Sequence, residues 1–120
     1  MKYADLHAHC LSLPGATLSI QWGADRVFKV GGKMFAVTGA PEDRPPRVSF
    51  KTGEDSFHIL THLPGIVPSP YLARAHWVTL ENLRVLKDSE IKAYLARAHA
   101  LVAAGLPKKL RMSLGLEGKA

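Results

Sequence analysis

The sequence predicts an α+β fold in two layers, an antiparallel β-sheet with helices packed on one face. Three observations carry that prediction. Apolar residues recur with a period of two through short runs in the first half of the chain, and at helical three- and four-residue steps near both ends. Two β-rich runs are separated only by Gly31-Gly32, the spacing of a tight hairpin. At 120 residues the chain has the size of one domain, enough to bury about two-thirds of its unfolded surface in a single core.

Each element follows in order. Tyr3, Leu6, Cys10 and Leu13 form the stripe of an amphipathic helix, which Pro14-Gly15 stops. From Thr17 the period becomes two. Leu18, Ile20 and Trp22 alternate with Thr17, Ser19 and Gln21, the pattern of a half-buried strand. In the next hairpin Val30 is expected opposite Lys33, because Gly31 and Gly32 tolerate the positive φ that a two-residue turn demands. Phe28 then shares a face with Phe35, whereas Val27, Lys29, Met34 and Ala36 point the other way. Ala40 to Pro46 is a polar, proline-rich loop. Arg47 to Thr52 alternates again, with Val48 and Phe50 against Arg47, Ser49 and Lys51. One sheet face is therefore aromatic and branched and calls for helices. The other carries Lys29, Arg47, Ser49 and Lys51 and calls for solvent.

Glu54 to Leu63 is a short helix ended by Pro64-Gly65, and an irregular, proline-punctuated crossing leads to a strand at His76 to Leu80. In the last helix Asp88 suits the N-cap and Glu90 the first turn, where the helix dipole favours an anion. Ile91, Tyr94, Leu95, Ala98, Leu101 and Val102 make its buried stripe, and Gly105 with Pro107 ends it. A single domain is thus expected over residues 1–111, with a flexible tail over 112–120.

Composition bounds the function. With Cys10 as the sole cysteine, no intramolecular disulfide is available. No apolar run approaches the ~20 residues that span a bilayer, and an acid and two histidines interrupt the start where a signal peptide needs an apolar stretch. The expected compartment is the cytoplasm and the expected state a monomer. Sixteen Lys and Arg against ten Asp and Glu leave a net charge of +6. That excess favours anionic partners, nucleic acid first among them, although it also serves solubility.

Lys29, Lys33, Arg47 and Lys51 come from adjoining strands and a hairpin tip, and together could follow a phosphate backbone. Trp22, Tyr71 and Trp77 could stack on bases or line a pocket for a small aromatic compound. Packing is the commoner fate of a tryptophan at a strand end, as at Trp22, whereas for Tyr71 and Trp77 the two readings balance. His58 and His62 are four apart, but no glutamate stands between them and no third ligand is near. His7, His9 and Cys10 point to different sides of a helix. No metal and no cofactor is expected. No nucleophile elbow, phosphate loop or Cys-x-x-Cys pair occurs, so no catalysis is expected either.

Several strings, in this order and spacing, resemble the MmcQ/YjbR-like family. They are LSLPGAT from Leu11, QWGADRVFKVGGKMFAV from Gln21, VSFK from Val48, VPSPYLARAHWV from Val67 and LPKKLR from Leu106. FKVGGKMFA is the most specific of them. The resemblance implies a fold related to frataxin-like and secretion-chaperone-like sandwiches. It also implies DNA binding, the description usual for the family, with two β-hairpins acting as a double wing. It implies no catalytic set and no metal ligands. The loop from Gly39 to Pro46 and the glycine at Gly105, where members often carry lysine, depart from the pattern.

The first expectation is a DNA-binding module whose contacts are mostly to phosphate, with Lys29, Lys33, Arg47, Lys51, Arg74, His76, Trp77, Lys108 and Lys109 as its nucleic-acid-binding residues. One alternative is a protein-interaction or chaperone-like adaptor using an exposed apolar loop from Ile66 to Leu72. The other is a protein that holds a small aromatic ligand near Trp22, Tyr71 and Trp77.

Overall fold

A computed structural model describes residues 1–70 and 72–116. It contains six strands, β1 (Ala16–Gln21), β2 (Asp25–Val30), β3 (Lys33–Thr38), β4 (Val48–Lys51), β5 (Ile66–Pro68) and β6 (Trp77–Leu80), in one antiparallel sheet of order β1-β2-β3-β4-β6-β5. The helices are α1 (Tyr3–Ser12), α2 (Glu54–Leu60), α3 (Asp88–Ala104) and α4 (Lys108–Ser113). The first four strands pair in sequence order because short connections join them. The β5–β6 hairpin then docks β6 beside β4 and leaves the three-residue β5 at the edge.

The α+β expectation holds, and the helices lie on one sheet face. Phe28, Ala36, Phe50 and Val78 are paired across four strands and share a face with Val30, Val48 and Leu80. They form one core with Leu6 and Cys10 of α1, Leu60 of α2, and Ile91, Leu95, Ala98 and Val102 of α3. Burying a side chain of this size contributes about 1.5–3 kcal/mol, so the helix layer and the sheet hold each other. His99 also enters this layer. Its Nε2 lies 2.6 Å from the Pro14 carbonyl oxygen, and its ring meets Phe35 edge-on.

Several local expectations change. Phe35 is a bulge residue: Lys29 opposes Met34 and Phe28 opposes Ala36, so both Phe35 and Ala36 are buried, and Ala36 does not point away. Ile20 and Trp22, at and just beyond the far end of the edge strand β1, are 59% and 65% exposed. Ile66–Pro68, expected as part of an irregular crossing, pairs with β6. Leu101 leaves the buried stripe of α3 and is 38% exposed, since residues 91, 95, 98 and 102 keep the helical period and turn position 101 to its margin. Lys87, not Asp88, is the N-cap, and the Glu90 carboxylate accepts the Lys87 backbone N–H at 3.0 Å. At the C-terminus Met112 and Ser113 complete α4, and Leu114 and Leu116 pack against the core. The remainder of the expected tail, 117–120, lies outside the described residues.

The second sheet face is not simply open to water. Ser69 Oγ and Ser49 Oγ lie 2.9 and 2.7 Å from Thr79 Oγ1, and Lys51 Nζ donates to the Ala75 carbonyl at 2.9 Å. These bonds draw the segment between β5 and β6 back over the sheet. Val27 and Trp77, both on this face by register, are accordingly 0% and 3% exposed.

Candidate nucleic-acid interface

Antiparallel pairing sorts the connections to two ends of the sheet. At one end lie the Gly31-Gly32 turn, the end of β4 and the start of β6. At the other lie the β1–β2 turn, the loop from Gly39 to Arg47 and the segment after Leu80. Charge is divided unequally between them.

The glycine-turn end is built tightly. Gly31 and Gly32 have φ of 59° and 81°, the left-handed pair that closes a two-residue hairpin. A methyl group on Gly31 would stand 2.5 Å from Leu106 Cδ1 and 3.2 Å from Leu110 Cδ2. The turn is therefore seated against the segment that joins α3 to α4, and is not a projecting wing. Lys33 flanks the turn and Lys29 lies on the sheet face beside Met34. Lys51 ends β4 one strand further on, about 10 Å from Lys29 at two strand spacings. Lys108 and Lys109 open α4, whose Leu110 touches the turn, and both are exposed. None of these five lysines is ion-paired with a carboxylate among the described residues.

The carbonyls at the end of α3 would repel an anion approaching this corner. Arg111 offsets them: its Nη1 donates to the Leu106 carbonyl at 2.8 Å and to Ala104 at 3.3 Å. The nearest acids in sequence, Glu54 and Asp55, sit in the first turn of α2, where the helix dipole holds them.

The long-loop end mixes both signs. Asp25, Glu42, Asp43 and Glu81 stand there with Arg26, Arg44, Arg47 and Arg84. Arg47, grouped by sequence with Lys29, Lys33 and Lys51, is about 13 Å from Lys51 along the strand direction and lines a polar recess with Asp25 and Asp43. The structure thus brings together Lys29, Lys33, Lys51, Lys108 and Lys109, and leaves Arg47 apart. Arg74 and His76 lie in the covering segment, Arg74 in a 3-10 turn (Ala73–Ala75) and His76 at φ 62° with its ring against Phe57.

The aromatic residues separate as well. Trp77 is buried and offers no face to a base. Trp22, at φ 49° in its turn, is exposed and lines a cleft of about 350 Å³ with Met34, Val37, Pro70 and Leu72. Packing, the commoner fate, is therefore not that of Trp22. Tyr71 lies outside the described residues. Ile66 is buried, so the apolar loop from Ile66 to Leu72 is not exposed along its length.

A second cleft, of about 450 Å³, sits at the glycine-turn end between Lys33 and Lys51. Met34, Leu101 and Val102 and the margin of Trp77 form its apolar lining. Sequence alone missed it, because helical spacing assigned Leu101 to the core. Two further reactive groups sit in structural surroundings. His62 Nδ1 lies 2.6 Å from the His58 carbonyl oxygen, and Cys10 is fully buried, which pushes its thiol up to about 12.

Comparison with known proteins agrees with the fold. The crystal structure of Deinococcus radiodurans protein DR2400, with a DUF419 domain, superposes with a TM-score of 0.86 at 28% identity, over 99% of this chain and 91% of that one. "Uncharacterized protein YjbR" of Escherichia coli strain K12 is 32% identical over 117 residues, 95% of this chain and 98% of the relative, and the protein of the same name in strain O157:H7 matches equally. The YjbR family model covers residues 11–101, from the end of α1 to the Leu101 that lines the lysine cleft, and the chain belongs to the YjbR family.

Proposed function

We propose that the protein binds nucleic acid, DNA in the first instance, through the glycine-turn end of its sheet and without catalysis. One observation carries the reading. Five lysines with no carboxylate partner among the described residues gather at that end, while acids and arginines balance at the other. Each lysine that neutralises a phosphate releases a counterion, and this term dominates non-specific binding. The contacts fix position without reading sequence. The double wing of the family description is narrowed to one seated turn, because Gly31 lies against Leu106 and Leu110. The compartment this reading requires is the cytoplasm, whose reducing conditions suit the free thiol of Cys10.

Anisotropy titration of labelled DNA at ~50 and ~200 mM salt tests the proposal. The expected log–log slope is about −3 to −5 for three to five neutralised phosphates. Absence of binding below ~100 μM at low salt would overturn it. The cleft beside Trp22 supports a second reading, a small aromatic ligand, which a thermal-shift screen of such compounds would reveal.

A further inference from the structure

We infer that the glycine-turn end takes single-stranded rather than duplex nucleic acid, with one unpaired base lodged in the cleft between Lys33 and Lys51. The inference rests on the nucleic-acid reading above and names the substrate class of the same site. Reading the bases of a duplex needs an element that enters a groove, a helix or a projecting ribbon. This end presents neither. Its hairpin tip is held against Leu106 and Leu110, and α4 is only six residues long.

What it does present is a recess with an apolar lining and cationic rims. Met34 is half-buried and Leu101 is 38% exposed, so both have surface left to cover. A duplex backbone offers only phosphate and sugar to such a recess and leaves the apolar lining wet. An unpaired base fills it, and its flanking phosphates then meet Lys33 on one side and Lys51 on the other. Lys51 Nζ spends one proton on the Ala75 carbonyl and keeps two for phosphate. Methionine suits a flat ring, since its unbranched, polarisable side chain adapts to whichever base enters. That tolerance predicts little sequence preference.

The test is competitive anisotropy with a labelled single strand of about 15 nucleotides and the same strand annealed to its complement. The single strand is expected to bind at least about tenfold more tightly at low salt. Leu101→Asn removes apolar lining without changing charge, at an exposed position that does not threaten folding. It should weaken single-strand binding by about fivefold or more and duplex binding by less than about twofold. In a Trp22→Phe background, Trp77 is the remaining tryptophan, and its emission should shift on single-strand binding alone. Equal affinity for both forms, with Leu101→Asn without effect on either, overturns the inference and leaves the phosphate-binding reading standing. Binding to neither form overturns both.

Discussion

Trp22 and Trp77 border the same face of one sheet, at opposite ends, and meet different surroundings. Trp77 is 3% exposed, and its backbone is bracketed by bonds to Ser69 and Leu72. Trp22 is 65% exposed, beyond the last residue of an edge strand. The glycine-turn end is closed by α3, α4 and the segment over the sheet, and its lysines project from a fixed frame. The long-loop end is joined by exposed turns, and its charges cancel locally. A net charge of +6 becomes a candidate binding feature only through this asymmetry.

The largest expected effect tests whether the two ends differ in packing. Trp77→Ala should destabilise the domain by about 3–5 kcal/mol, as removal of a buried aromatic side chain does. Trp22→Ala should cost less than about 0.5 kcal/mol, the range of an exposed substitution. Urea unfolding followed by circular dichroism reads both. Similar losses at the two positions would break the contrast.

Next comes the seating of the turn. Gly31→Ala should cost about 2–3 kcal/mol, because a methyl group meets the buried Leu106 and a non-glycine residue at positive φ is strained. Gly32→Ala, also at positive φ but with open space around it, should cost about 1 kcal/mol. At the long-loop end a methyl on Gly39 would strike Asp43, an exposed side chain that can swing away from its bond to the Ala40 N–H. About 1 kcal/mol is expected there too. Equal costs for Gly31 and Gly32, measured by thermal unfolding, would mean that the turn is not clamped.

Much of this architecture is legible in the sequence, because period and turn chemistry are local. The β2–β3 hairpin, with Val30 opposite Lys33, follows from Gly31-Gly32 alone. The stripe of α3 follows from the 3.6-residue repeat, apart from Leu101 at its margin. What depends on tertiary contact is not legible. A bulge at Phe35 resets which residues face the core, and no local pattern announces it. The strand β5 has three residues and ends in a proline, too short for a period. The covering of the second face rests on Ser69, Thr79 and Lys51 meeting across the chain. The candidate site divides in the same way. Lys29, Lys33 and Lys51 come together as their strand positions suggest, whereas Arg47 falls at the far end because alternation fixes a face and not a distance along the strand.

The third prediction sharpens the electrostatic side of the contrast. A triple Lys29→Gln, Lys33→Gln, Lys108→Gln variant should lose at least about tenfold in DNA affinity, with the salt slope shallower by about 2.7. The triple Arg44→Gln, Arg47→Gln, Arg84→Gln variant removes as much charge from the long-loop end. It should change affinity by less than about threefold. Equal losses would show that binding senses net charge alone and that the asymmetry has no role.

The smallest effect isolates Lys51, which belongs to both the frame and the surface. Its ammonium holds the Ala75 carbonyl, while its position places it on the rim of the cleft. Lys51→Met keeps most of the apolar stem and removes the charge and the bond. Loss of one charge-assisted hydrogen bond at a partly exposed site should cost no more than about 1 kcal/mol of stability. The salt slope of DNA binding should fall by about 0.9, one phosphate contact. Lys51→Arg can satisfy the same carbonyl and restores the charge, so it should recover both. If the methionine variant loses stability but keeps the full slope, Lys51 serves only to hold the covering segment. Lys29 and Lys33 then mark the limit of the cationic surface on the sheet.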